Sequence, residues 1–89
     1  MVVTRLDSWL SEFGAPRRAE VQSPDVAGLL SDLERRYPRL RHRIRDESGS
    51  LRRFVRIFVD GVDISSLGGL QTPLTPSAVV DILHSIAGG

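Results

Sequence analysis

Apolar residues fall into two rhythms along this chain. Val26, Leu29, Leu30, Leu33 and Tyr37 recur three and four residues apart, which places them on one stripe of a helix turned toward a core. Ser23-Pro24-Asp25 precedes the stripe with a hydroxyl for the N-cap, a proline at the first helical position and an acid in the first turn. Pro38 ends it. Between Phe54 and Val59 the rhythm changes to alternation, with Val55, Ile57 and Val59 on one face of a strand. Asp60-Gly61 then supplies the two residues of a tight hairpin turn, and Val62-Asp63-Ile64 returns beside the first strand.

The ends of the chain carry shorter signals. Val2-Val3-Thr4-Arg5-Leu6 is β-branched and suits a first strand, and Gly14-Ala15-Pro16 punctuates the loop after it. A second strand over residues 19–22 would complete a hairpin, although Trp9, Leu10 and Phe13 also have the spacing of a helical turn. Leu67-Gly68-Gly69-Leu70, Pro73 and Pro76 mark an irregular crossing before a last strand over residues 78–84. The order of strand, strand, helix, strand, short strand and strand predicts an α+β fold, a mixed sheet packed on one main helix.

Composition narrows the class. Eighty-nine residues make one domain with one small core, and 40% apolar with 26% charged residues is a globular composition. No apolar run approaches the ~20 residues of a membrane span, and the first residues lack the regions of a signal peptide, so a cytoplasmic protein without membrane contact is expected. Cysteine is absent, which excludes disulfides, thiolate metal sites and a cysteine nucleophile on this chain. All twelve basic side chains are arginine. Without lysine, the chain offers no side-chain amine to an isopeptide bond.

The sequence closes on Gly88-Gly89 directly after the apolar run of the last strand. Residues without a Cβ thread a channel too narrow for any side chain and can present a carboxylate inside another protein's active site. The string Leu51-Arg52-Arg53-Phe54-Val55-Arg56-Ile57-Phe58-Val59-Asp60-Gly61-Val62-Asp63-Ile64 carries a family resemblance, together with Gly68-Gly69-Leu70-Gln71-Thr72-Pro73-Leu74 and Val80-Asp81-Ile82-Leu83-His84-Ser85-Ile86-Ala87-Gly88-Gly89. It resembles the ubiquitin-like sulfur carriers of the MoaD/ThiS-like family, with the carrier of an alternative cysteine pathway as the most similar type. Two departures stand out. The family's Asp-Gly-Asp turn before the last strand is here Thr75-Pro76-Ser77-Ala78, and the prolines that commonly precede the tail are replaced by His84-Ser85.

The resemblance implies the β-grasp fold, with a domain over residues 1–83 and a flexible tail over residues 84–89. It implies no catalytic side chain and no bound cofactor. ATP would be used by a partner, an E1-like adenylyltransferase and sulfurtransferase that converts the Gly89 carboxylate to an acyl-adenylate and then a thiocarboxylate. A second partner, a biosynthetic enzyme, would accept the sulfur for cysteine, thiamine, molybdopterin or a sulfur-containing secondary metabolite. Gly88 would permit close backbone approach, while Ala87 and Ile86 would be read as side chains; Ile86 as a core residue stays open. Leu83 stands at the family position that contacts the activating enzyme. Phe58 either joins Leu83 in an apolar docking patch or packs on the helix, and packing is favoured.

Other chemistries were weighed against the same residues. A ubiquitin-like modifier would transfer Gly89 to a lysine of another protein. Nine arginines (35, 36, 39, 41, 43, 45, 52, 53 and 56) against Asp46 and Glu47 alone suggest a solvated helix end and loop, a dock for an acidic partner or, least of all, a nucleic-acid site. Tyr37 and Phe54 are the aromatics that interleave among them, too few for a stacking platform. His42 and His84 lie far apart, Asp81 with His84 is not expected to act as a dyad, the serines lie outside any nucleophile elbow, and no spacing suggests a metal.

Overall fold

The computed structural model describes residues 1–84. Five strands, β1 (Val2–Leu6), β2 (Arg18–Val21), β3 (Val55–Val59), β4 (Val62–Asp63) and β5 (Val79–His84), form one sheet in the order β2-β1-β5-β3-β4. β1 and β5 pair in parallel at its centre, and the other pairs are antiparallel. The helix α1 (Val26–Arg36) crosses one face. This is the mixed sheet on one helix that the alternating pattern and the single capped helix pointed to, in the β-grasp architecture that the resemblance implied.

One face of the sheet is apolar because alternate residues point the same way. Val2 and Leu6 of β1, Val21 of β2, Val55 and Ile57 of β3, and Val80 and Ile82 of β5 are buried against Val26, Leu29, Leu30 and Leu33 of α1. Tyr37, the last residue of the predicted stripe, caps the helix and is partly buried against the same core. Truncating any fully buried leucine of α1 to alanine would cost about 2–5 kcal/mol. Thr4 faces this core too, fully buried, with a hydroxyl that has no hydrogen-bond partner.

Two local expectations change and one pair of alternatives coexists. The helix is capped by Asp25, whose carboxylate accepts from the Gly28 N–H at 2.8 Å, two residues after the expected cap Ser23. Asp25 is extended there as it bridges to Pro73, and the Pro24 carbonyl before it accepts from the Leu74 N–H. Ser23 instead donates its hydroxyl to the Asp25 carbonyl at 2.8 Å. Ile64 leaves the hairpin for a 3-10 turn, Ile64–Ser66, begun by the Asp63 carboxylate accepting from Ser65 N–H. Trp9, Leu10 and Phe13 form the helical turn, a 3-10 segment over Ser8–Phe13, and β2 follows it, so both readings of the first loop hold.

The hairpin turn has Asp60 at φ 49° and Gly61 at φ 85°, the paired left-handed residues that match the twist of the flanking strands. Before β5 the chain turns over residues 75–78, with Pro76 second and the Ala78 N–H donating to the Thr75 carbonyl at 3.0 Å. A turn therefore forms without the family's glycine.

Candidate functional site at the last strand

β5 brings together most of what the sequence singled out. Its outward residues, Val79, Asp81 and Leu83, lie on the sheet face opposite α1. Leu83 is 41% exposed and stands opposite Arg56 of β3. Phe58 also points to this face, half-buried, directly opposite Asp81 on one side and Asp63 on the other. The favoured packing of Phe58 on the helix is thus overturned, since Val55, Ile57 and Val59 occupy the core-facing positions of β3.

Phe58 is a diagonal neighbour of both Val79 and Leu83, and Val79 stands opposite Val3 of β1. An apolar path of Val3, Val79, Phe58 and Leu83 therefore crosses the open face. Two ion pairs border it. Arg5 holds Asp81 through Nε at 2.6 Å and Nη2 at 2.9 Å, and Arg56 holds Asp63 at 3.2 Å. Donation from the Ser65 N–H, assisted by Arg56, keeps the Asp63 carboxyl below the ordinary carboxylate range. Sequence reasoning missed Arg5 and Asp63, because cross-strand pairing depends on a register that a single strand does not reveal.

The end of β5 is held differently. The His84 N–H donates to Asp7 Oδ2 at 3.0 Å, while the Asp7 N–H donates to the Ile82 carbonyl at 3.0 Å. The His84 ring sits 5.0 Å from Trp9 and 5.3 Å from Phe54, and those two rings meet edge-on at 5.7 Å. The His84 N–H is the main cause holding the Asp7 carboxyl below its ordinary value, against a partial desolvation that pushes the other way. Asp81 and His84 lie on opposite faces of β5, Asp81 on Arg5 and His84 among the aromatics, so they form no dyad.

Gly89, Gly88, Ala87 and Ile86 lie outside the described residues. The arginine-rich stretch disperses into local contacts. Arg35 and Arg36 pair with Asp32, Arg36 and Arg39 donate to the carbonyls of Glu20 and Glu12, and Arg43 lies 4.7 Å over the Phe13 ring. Arg45 pairs with Glu34 at 2.9 Å, and Arg52 donates to the His42 carbonyl at 2.6 Å. These contacts fasten loops to the helix and sheet. Among the described residues no cluster of three metal-ligating side chains occurs, and no helix is long and apolar enough to cross a membrane.

The model of the ThiS family matches residues 13–89, most of the helix and sheet together with the terminal glycines. The chain belongs to the ThiS family. A curated relative, the sulfur carrier protein CysO of Mycobacterium tuberculosis, is 35% identical over 78 residues, covering 85% of this chain and 84% of the relative. The crystal structure of the Amycolatopsis orientalis BexX/CysO complex contains a chain that superposes with a TM-score of 0.89 at 26% identity, covering 100% of both chains. The small archaeal modifier protein 1 of Methanosarcina acetivorans superposes with a TM-score of 0.87 at 26% identity, covering 99% of this chain and 95% of that one. This ThiS-family chain is therefore a ubiquitin-like protein of the sulfur-carrier type, and the relatives that match it are named as carriers and modifiers.

Proposed function

We propose that this protein carries sulfur as a C-terminal thiocarboxylate on Gly89. The observation that supports the reading is the Gly88-Gly89 ending placed five residues beyond His84, the last residue of β5, in a ThiS-family β-grasp domain. A carboxylate at neutral pH is anionic and would have to expel oxide, so it is a poor acyl donor. On an E1-like enzyme the Gly89 carboxylate would attack the α-phosphorus of ATP and release pyrophosphate, and sulfide would displace AMP from the resulting acyl-adenylate to leave a thiocarboxylate. A persulfide donor would give an acyl disulfide, which a thiol then cleaves to the same thiocarboxylate and a disulfide. A thiocarboxylic acid is far more acidic than a thiol and is ionised at cellular pH, so it attacks without a tuned neighbour such as a reactive cysteine requires. The domain itself supplies recognition and reach, as a substrate of other enzymes in the cytoplasm.

The open face of the sheet fits the docking half of this task. Leu83 and Phe58 offer apolar surface within one path, and Arg5–Asp81 and Arg56–Asp63 border it with charge. From His84 to Gly89 six extended residues reach at most ~20 Å, enough to enter a partner's nucleotide site while the sheet stays docked. A modifier role, with Gly89 joined to a lysine of another protein, is the second reading and rests on the likeness to the small archaeal modifier protein 1.

The test is the intact mass of the protein after incubation with ATP, a sulfur donor and an E1-like enzyme, with a known carrier as control. Replacement of one oxygen by sulfur at Gly89 is the expected result. An unchanged mass beside a loaded control removes the carrier reading, and a mass shift on other proteins would favour the modifier.

A further inference from the structure

β1 ends at Leu6, where the chain turns into the Ser8–Phe13 segment, yet β5 runs on past its pairing of Leu6 with Ile82. The His84 N–H would thereby lose the carbonyl that a longer β1 would offer. Asp7 Oδ2 takes that place at 3.0 Å, so a side chain extends the ladder by one rung after the backbone has left. On the other edge His84 pairs with Val55 of β3. Its ring is held in turn by Trp9 and Phe54, which also touch each other. The backbone and the side chain of His84 are both anchored, by Asp7 and by the two aromatic rings.

We infer that Asp7 is a positioning residue for the loading of Gly89: with Trp9 and Phe54 it clamps His84 and so fixes the point of the sheet from which the chain continues to Gly89. This rests on the sulfur-carrier reading. Docking through Leu83 and Phe58 brings the domain to its partner, and the clamp fixes the base of the arm that must place a carboxylate against ATP. Positioning acts on the chemical step, because a reacting group displaced by about 1 Å can lose on the order of a hundredfold in rate.

The experiment compares wild type, Asp7→Ala and Asp7→Asn in sulfur loading by the activating enzyme, across a range of carrier concentrations. Asp7→Asn keeps a side-chain oxygen that can accept from His84, and Asp7→Ala removes it. For Asp7→Ala, kcat should fall about ten- to a hundredfold with KM within about twofold, and Asp7→Asn should recover most of the rate. Hydrogen exchange at the His84 amide, measured on the same samples, should be slow in wild type and Asp7→Asn and fast in Asp7→Ala. Equal kcat in all three proteins overturns the inference, as does fast exchange at His84 in wild type. Should Asp7→Ala not fold, Trp9→Leu removes the ring stacked on His84 and must show the same fall in kcat. If wild type does not load, the sulfur-carrier reading fails by itself; slow His84 exchange that Asp7→Ala abolishes would then still support the clamp, and its absence would end it.

Discussion

The two ends of β5 are held by the same chemical device and differ in what surrounds it. At the leading end the Val79 N–H donates to Asp60 Oδ1 at 2.9 Å, and the Asp60 N–H returns a bond to the Val79 carbonyl at 2.8 Å. At the trailing end the His84 N–H donates to Asp7 Oδ2, and the Asp7 N–H bonds the Ile82 carbonyl. Asp60 sits in an exposed tight turn, where its carboxylate closes the hairpin onto the centre of the sheet. Asp7 holds the backbone of His84, whose ring packs with those of Trp9 and Phe54, five residues before Gly89. A carboxylate on a strand amide is thus a folding device at one end and, on our proposal, a guide for the arm at the other.

That contrast breaks most sharply at the arm itself. Deleting Gly89, or adding one residue after it, should abolish sulfur loading and leave the melting temperature unchanged, checked by intact mass and thermal unfolding on one preparation. Asp60→Ala should do the reverse, losing about 2 kcal/mol through a charge-assisted hydrogen bond and a left-handed backbone that alanine resists, with loading kinetics unaltered well below the melting temperature. Denaturant titration beside a loading assay separates the two effects. Loss of loading in Asp60→Ala would erase the distinction between the ends.

Smaller effects sharpen the comparison. Leu83→Arg should raise the KM for activation about tenfold while costing no more than about 1 kcal/mol of stability, since the side chain is exposed and the cost is the like-charge pair with Arg56 opposite. Unfolding of this variant would show that Leu83 supports the core. Thr4→Val, in β1 opposite Val80 and between the two carboxylate anchors, should stabilise by about 1 kcal/mol, because it replaces an unpartnered buried hydroxyl with a methyl group. A loss of stability in urea titration would mean that the hydroxyl is satisfied after all.

The least effect at neutral pH belongs to the carboxylates. Asp7, Asp46 and Asp63 all have folded values held below 3.8 by N–H and hydroxyl donors, so their stabilisation is complete above that value and is lost as pH falls through the folded values. Unfolding free energy should therefore fall below about pH 4. Asp7→Asn should flatten part of that acid slope, and an unchanged slope would show that Asp7 binds its proton equally in the folded and unfolded chain.

Much of this was legible from spacing. The strand with its Asp60-Gly61 turn, the leucine stripe of the helix and the order of elements all follow from short-range periodicity, which the core then satisfied. Asp25 displaced Ser23 as the helix cap because a distant segment, Pro73 and Leu74, bonds to Pro24 and bridges to Asp25, which is held extended. Phe58 was misplaced for a related reason: alternation separates two faces of β3 without saying which one meets the helix. The arginine stretch read as a patch because sequence adjacency hides that Arg39 reaches Glu12 and Arg45 reaches Glu34.

By itself the sequence determined a small α+β chain without cysteine or lysine, with one apolar helix stripe, one alternating strand and its hairpin turn, and glycines at 88 and 89. Those properties are local, set by residue type and by periods of two and 3.6, and they survive in any register. Only the tertiary structure decided that Leu83 and Phe58 share the open face, that Arg5 meets Asp81, and that Asp7, Trp9, Phe54 and His84 converge where the last strand ends. Asp7 and His84 are 77 residues apart, and what joins them is the parallel register of the first and last strands, a property of the closed sheet.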